Sequence, residues 1–437
     1  MKTRIRPPVS HWPQHVLPLA AVSVLMVGPV AGAATTNFTY KAELSAKFGY
    51  DSNVYLQDVE PDLVKYPKAV RPFQDSFVTS VTPRVAFDYQ PGAGFKVGFA
   101  YAPEIAFYTS EPSEDYTAHR FAVNLGGKTR KVTWECPNSV TYIDGGREGL
   151  TFGGPGGAPS IGGIPIRDRK ASVVTRDMIR TIHNWGDWLF RPTASAYLHD
   201  FMTVKKNPAD PAHPENAGYQ NYVDRNDVNG GIDVGYKLPH ETYLVLGARV
   251  GRQEERPLPW SPYEYSNQYV RLLPGLEGKP WPWLKLALSA GPDIRDFDKN
   301  TPPGFQDHNT VIYVDSSVVI TPDHADAVIL TFKRYEQPAF GAPSMYEDIT
   351  YDLLWKHTFD PKLTVSTGFR AYAGEWMPPV QRDDWIYTGS ASISYAWNRH
   401  LSTELAYSYD FTESLVPNTS GREFTRHLTW MTIRYAF

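Results

Sequence analysis

Cysteine is nearly absent from this chain of 437 residues: Cys136 stands alone, which excludes an internal disulfide framework and any multi-thiolate metal site. An apolar run of about 20 residues, the length a spanning helix needs, is also missing. With 42% hydrophobic and 21% charged residues, the chain does not read as a polytopic helical membrane protein. It contains no Gly-x-Ser-x-Gly elbow and no His-Glu-x-x-His helix, and the glycines at 153–157 are not followed by the Gly-Lys-Ser/Thr of a phosphate loop. No basic run marks a nucleic-acid surface, and the formal net charge of -4 is mildly acidic.

What is abundant opposes long helices. There are 27 Tyr, 21 Phe and 12 Trp, and 33 Gly with 37 Pro punctuate the chain. The first 33 residues carry Lys2, Arg4 and Arg6 without an acid, then a mainly apolar run from Val16 to Val30, then Ala31-Gly32-Ala33. This is the layout of a secretory signal peptide cleaved after Ala33. Its loss removes three basic residues and no acidic one, leaving a mature chain, 34–437, that is read as one domain.

From Phe38 to the end, apolar and polar residues alternate in segments of about 9 to 14 residues, the dyad pattern of a transmembrane β-barrel. In the first segment Phe38, Tyr40, Ala42, Leu44, Ala46 and Phe48 share one face and Lys41, Glu43, Ser45 and Lys47 the other, because successive side chains point to opposite sides of a strand. Short turns are expected at 90–94, 126–128, 184–187, 237–240, 278–280, 322–324, 360–362 and 398–400. Longer connections separate them, nine in all. Together they join eighteen strands of an all-β, antiparallel up-and-down barrel. The charges Arg176, Asp177 and Arg180 blur the pattern over 172–182, so sixteen strands is the alternative. The last segment alternates His427, Thr429, Met431, Ile433, Tyr435 and Phe437 against Arg426, Leu428, Trp430, Thr432 and Arg434. Its terminal phenylalanine is similar to the strand signal through which outer-membrane proteins are recognised by the barrel assembly machinery.

Near the other end, Phe48-Gly49-Tyr50-Asp51-Ser52-Asn53-Val54-Tyr55 resembles the Gly-Tyr-Asp-x-Asn-Val stretch at the first strand-loop junction of the β-barrel porin type 2 family. A looser likeness runs through Gly291-Pro292-Asp293-Ile294-Arg295-Asp296 and Arg334-Tyr335. The resemblance implies a Gram-negative outer-membrane porin, in some cases one accompanying polysaccharide-export machinery. On the residues themselves, Tyr50 and Tyr55 are expected in an interfacial aromatic girdle, and Asp51, Ser52 and Asn53 in a local turn.

A barrel of 16 to 18 strands leaves an aqueous lumen unless something obstructs it. The candidate pore-lining residues are Lys41, Glu43, Arg84, Asp88, Glu104, Arg249, Arg271, Asp293, Arg295, Lys333, Asp348, Asp352, Lys356, Arg370, Glu404 and Arg434, with most of the inward charges expected to pair across neighbouring strands. Charged walls favour hydrated polar solutes, so a passive channel for hydrophilic solutes is the leading expectation. The glycine-rich stretch 144–169 is the candidate for a constricting loop. The alternative is a polysaccharide conduit with periplasmic export partners, using inner aromatics such as Tyr243, Tyr269, Tyr372 and Trp430 as a track for sugar rings. A barrel hydrolase or a structural surface protein is the remaining class, but His199-Asp200 and Asp323-His324 are the sole adjacent pairs that suggest catalysis. No cofactor or metal is expected, outer-membrane lipid surrounds the barrel, and Cys136 is assigned to the lipid side.

Overall fold

The computed structural model describes residues 37–56, 74–92, 94–144, 171–202, 223–256, 262–339, 344–378, 382–414 and 423–437. The signal peptide expected over 1–33 and nearly all of the glycine-rich stretch 144–169 lie outside the described residues. Asn37–Phe437 is one compact unit. Its strands are β1 Phe38–Asp51, β2 Ser76–Gly92, β3 Phe95–Tyr108, β4 Tyr116–Lys128, β5 Val132–Asp144 and β6 Ser172–Trp185. The circuit continues through β7 Trp188–Phe201, β8 Arg225–Leu238, β9 Thr242–Glu255, β10 Asn267–Trp281, β11 Leu284–Phe297 and β12 His308–Ile320. It ends with β13 Asp326–Pro338, β14 Met345–Thr358, β15 Leu363–Trp376, β16 Asp383–Ala396, β17 Leu401–Ser414 and β18 Thr425–Ala436.

Each strand pairs antiparallel with its sequence neighbours, and β18 pairs with β1, so the sheet closes on itself with eighteen strands. The ambiguous segment over 172–182 is a full strand, β6, which removes the sixteen-strand alternative. Strands of 12 to 17 residues exceed the 9 to 11 needed to cross the hydrocarbon and continue beyond it. Two of the expected turns are displaced. Gly126, Gly127 and Lys128 belong to β4, with the turn at 129–131, while Gly278, Lys279 and Pro280 belong to β10, with the turn at 282–283. In both places glycine serves close approach rather than reversal. A Cβ on Gly127 would stand 2.1 Å from the Gly94 carbonyl, and one on Gly278, at φ 135°, 2.2 Å from that of Glu241. A register shift follows Gly278.

The seam between first and last strands runs through Ala46 opposite Ile433 and Phe48 opposite Met431. On its inner side Arg426 Nε donates to Asp51 Oδ1 at 2.8 Å, and Asn53 Nδ2 donates to the Thr425 carbonyl at 3.0 Å. The Asn53 N–H closes onto Asp51 Oδ1 at 3.0 Å, so the Asp51-Ser52-Asn53 stretch is a turn that also clamps β1 to β18. Tyr50 is on the outer face, 5.5 Å from the ring of Phe77. Tyr55 does not join the girdle: it is buried, and its hydroxyl donates to Glu111 Oε2 at 2.6 Å.

The outer face carries exposed Leu44, Phe87, Phe99, Ile232, Leu246, Val250, Leu353 and Leu405 in the strand bodies, with Trp185, Trp188, Trp281, Trp283, Trp397 and Phe437 near the short turns. An apolar belt edged by aromatics is what lipid contact requires. Phe437 extends the seam through its N–H to the Ala42 carbonyl, 2.9 Å. Ile433→Arg should therefore place a charge in hydrocarbon at about 2–4 kcal/mol near the midplane, with Ile433→Val close to the parent. Deleting Phe437 should lower insertion as well, by removing a seam hydrogen bond and an interfacial ring. The amount of heat-modifiable protein in the outer-membrane fraction measures both, and equal yields from all variants would contradict this closing strand.

Candidate functional site

All sixteen candidate pore residues lie on the inner face, because in every strand they alternate with the exposed apolar side chains of the outer face. Nine take part in ion pairs: Glu43 with Arg434, Glu104 with Arg120, Arg249 with Asp233, Arg271 and Arg295 with Asp293, and Arg370 with Asp352. Glu404 accepts from the Ser394 hydroxyl at 2.8 Å. Lys41, Arg84, Asp88, Lys333 and Lys356 make no ion pair among the described residues. Unequal depth divides the set further. Asp293 and Asp348 are fully buried and Arg295 is 1% exposed, so these three hold the wall together more than they line open space.

That burial has a specific cause. β12 and β13 pair only from Val314 opposite Arg334 to Ile320 opposite Val328. Toward the long-loop end the two strands part. β12 stays with β11, while Tyr335–Pro338 stays with β14, up to Pro338 opposite Met345. The freed β13–β14 hairpin turns into the barrel and reaches strands on the far side of β12. Arg225 Nη1, at the start of β8, donates to the Pro338 carbonyl at 2.8 Å, and Arg295 Nη2, on β11, donates to the Glu336 carbonyl at 3.2 Å. Met345 packs into a cluster with Tyr265 and Phe297, against which Phe305 and Met377 lean. Burial pushes the Tyr265 hydroxyl above its ordinary pKa.

Arg295 is the hub of the contact. It donates to Gln253 Oε1 at 2.9 Å and Asp293 Oδ2 at 3.0 Å, and its Nε lies 3.2 Å from Glu336 Oε2. Arg271 shares Asp293 at 2.7 Å and is centred 3.8 Å over the ring of Tyr313. Within the hairpin, Gln337 Nε2 donates to Asp348 Oδ2 at 2.6 Å, and the Tyr372 hydroxyl donates to the same oxygen at 3.3 Å. Beneath the hairpin a cavity of about 1190 Å³ opens inside the barrel, lined among others by Arg176, Tyr197, Arg271, Tyr313, Lys333 and Asp352. Its wall mixes both charge signs with tyrosine faces, a surface that hydrated solutes can wet.

Sequence reasoning did not identify the hairpin. The candidate residues do not include Glu336 or Gln337, and the expected constricting stretch, 144–169, lies almost wholly outside the described residues. A signal existed, because Arg334, Glu336 and Glu347 fall on the outer parity of β13 and β14, beside Leu330, Phe332 and Tyr351. Charges in a lipid-facing row mark the point where the strands leave the wall. The inner aromatics are also placed differently from a sugar track. Tyr269 and Tyr372 are sealed, with the Tyr269 hydroxyl bonded to Asp227 Oδ1 at 2.7 Å, and Trp430 packs on the Val54, Val78 and Tyr108 cluster. Tyr243 alone of the four remains half-buried without such a role.

The two adjacent pairs considered for catalysis separate in space or serve turns. His199 is inside, stacked 4.1 Å from Phe201, while Asp200 points to the opposite face of β7. Asp323 Oδ1 accepts the N–H groups of Ala325 and Asp326, both at 2.8 Å. Cys136 lies on the outer face, and among the described residues no group of three or more His, Cys, Asp or Glu is disposed to hold a metal ion.

No protein-family model and no curated protein matches this chain. Among solved structures, the chain is similar to the outer membrane protein OpdK of Pseudomonas aeruginosa, with a TM-score of 0.43 and 10% identity over 91% of this chain and 99% of that one. It is similar to OpdQ of the same organism, with a TM-score of 0.42 and 10% identity over 92% and 98% of the two chains. Acinetobacter baumannii OccAB3 gives a TM-score of 0.42 and 11% identity over 91% and 99%.

Proposed function

We propose that the chain is an outer-membrane channel for the passive passage of small hydrophilic solutes, with the infolded β13–β14 hairpin as its constriction. The observation that carries this reading is a closed eighteen-strand barrel with an apolar exterior and a charged interior that still holds a cavity of about 1190 Å³ below the hairpin. A barrel of this strand number is too wide for side chains alone to fill. Charged and hydrogen-bonding walls replace part of a solute's hydration and set ion preference through the potential inside the pore. Insertion would rest on the barrel assembly machinery acting on β18. Export of a polysaccharide with periplasmic partners is the weaker reading, because Tyr269 and Tyr372 present no open ring face to a sugar.

Reconstituted in planar bilayers, the protein should give stepwise ohmic currents. Asp352→Asn should shift the reversal potential toward anions, because Arg370, bonded to Asp352 at 2.6 Å, loses its counter-charge. Arg370→Gln should shift it the other way. Silent bilayers would overturn the channel reading.

The constriction has its own test. Arg225 holds the Pro338 carbonyl, and Arg295 pairs with Asp293 and Glu336, so that its removal leaves buried carboxylates uncompensated at a cost of about 3–5 kcal/mol. The double change Arg225→Ala with Arg295→Ala should therefore free the hairpin and raise the unitary conductance. Unchanged conductance would mean that the hairpin does not limit flow.

A further inference from the structure

The apolar outer wall changes character across β5, β6 and β7, where the outward side chains include Cys136, Asn138, Thr175, Asp177, Ala194 and Ala196. Their direction follows from the ladder. Arg180 Nε donates to Glu135 Oε2 at 2.8 Å on the inner face, so Asn138 and Asp177, opposite one another three residues further along the same pair of strands, point outward. Val140 and Ile179, exposed to 38% and 50%, flank the acid–amide pair in its own strands, and exposed Leu198 and Val228 stand beyond it. The pair thus lies inside the apolar band. Asp177 has no hydrogen-bond or ion-pair partner among the described residues. Asn138 Nδ2 bonds the Cys136 carbonyl at 3.0 Å, and only longer contacts, 3.4 Å to the Val123 carbonyl and 3.5 Å to Cys136 Sγ, occupy its second hydrogen. A carboxylate would compete well for that hydrogen, because charge-assisted bonds are stronger than neutral ones.

An ionisable side chain facing hydrocarbon is rare, costly and in need of a partner. We propose that this face is the contact between two copies of the chain, related by a two-fold axis along the membrane normal. A two-fold contact uses the same patch on both subunits and must be self-complementary. An acid and an amide side by side in one register row meet that condition. Half a turn about an axis between them brings Asp177 of each copy opposite Asn138 of the other, so the bond forms twice. Ala194 and Ala196 let the two walls approach closely, as small residues do at contacts within membranes. Cys136, two residues from Asn138 on the same face, comes near the axis in both copies and reports on the contact.

The test is thiol cross-linking in intact outer membranes with a short bis-maleimide. The parent should give a covalent dimer of the chain, and Cys136→Ala should give none. Asp177→Leu removes the acid while suiting lipid, so it should keep its heat-modifiable migration and lose the dimer about tenfold, the effect of roughly 1.4 kcal/mol. As a positional control, Cys136→Ala with Phe369→Cys, on the opposite wall at β15 and exposed to lipid, should stay uncross-linked. In mild detergent the parent should have the mass of two chains and Asp177→Leu that of one. Equal cross-linking at Phe369→Cys, a cross-link to a different protein, a parent mass of one chain, or an undiminished dimer in Asp177→Leu would each overturn the proposal.

Discussion

Every backbone N–H and carbonyl within a bilayer has to find its partner inside the protein, and this requirement shapes the molecule more than any side-chain contact. It is why the sheet closes and why the first and last strands meet. It also explains how β13 can part from β12. Along β13 successive carbonyls alternate in direction, and Ala339 bonds toward β14, so the carbonyls of Glu336 and Pro338 face the side that β12 has left. Guanidinium groups fill that role: Arg295 donates to one and Arg225 to the other. Two arginines on the inner wall thus replace a missing strand, and the hairpin can leave the wall without leaving its carbonyls bare.

Buried guanidinium groups need counter-charge, and the neighbouring sequence supplies it at alternating positions. Asp293, two residues from Arg295 on β11, is shared with Arg271 from β10. Elsewhere on the inner wall Asp233 sits between Arg191 and Arg249 at 2.7 and 2.6 Å, and Arg191 reaches on to Glu277. These chains of alternating sign brace the interior laterally. These pairs neutralise one another, so the inner cations that make no ion pair among the described residues, Lys333 among them, weigh most on a passing ion.

The alternation in β1 and β18 makes the strand class, the faces and the closing pair legible in the sequence, because a period of two leaves only one choice of side per residue. The same regularity concealed the hairpin. Tyr335, Gln337, Tyr346 and Asp348 keep the inner parity throughout, and parity says which way a side chain points without saying how far the strand has moved inward. The conflict was in the other row, where Arg334, Glu336 and Glu347 occupy positions that lipid would penalise. Turn positions read from glycine failed at Gly127 and Gly278, because glycine also serves where two backbones nearly touch. In the sequence Asp177 only blurs the alternation of β6, and its outward direction follows from the pairing of Glu135 with Arg180.

The clamp at the seam also orders events in time. Asp51 and Arg426 stand 375 positions apart, so the contact that closes the circle is among the most non-local in the chain, and such contacts form late. Until β18 arrives, both β1 and β17 expose an edge of unpaired backbone, which invites pairing with any other strand nearby. Until that pairing forms, the sheet stays open and its two free edges remain exposed to aggregation. The ion pair is in effect a latch that only the fully paired sheet can close.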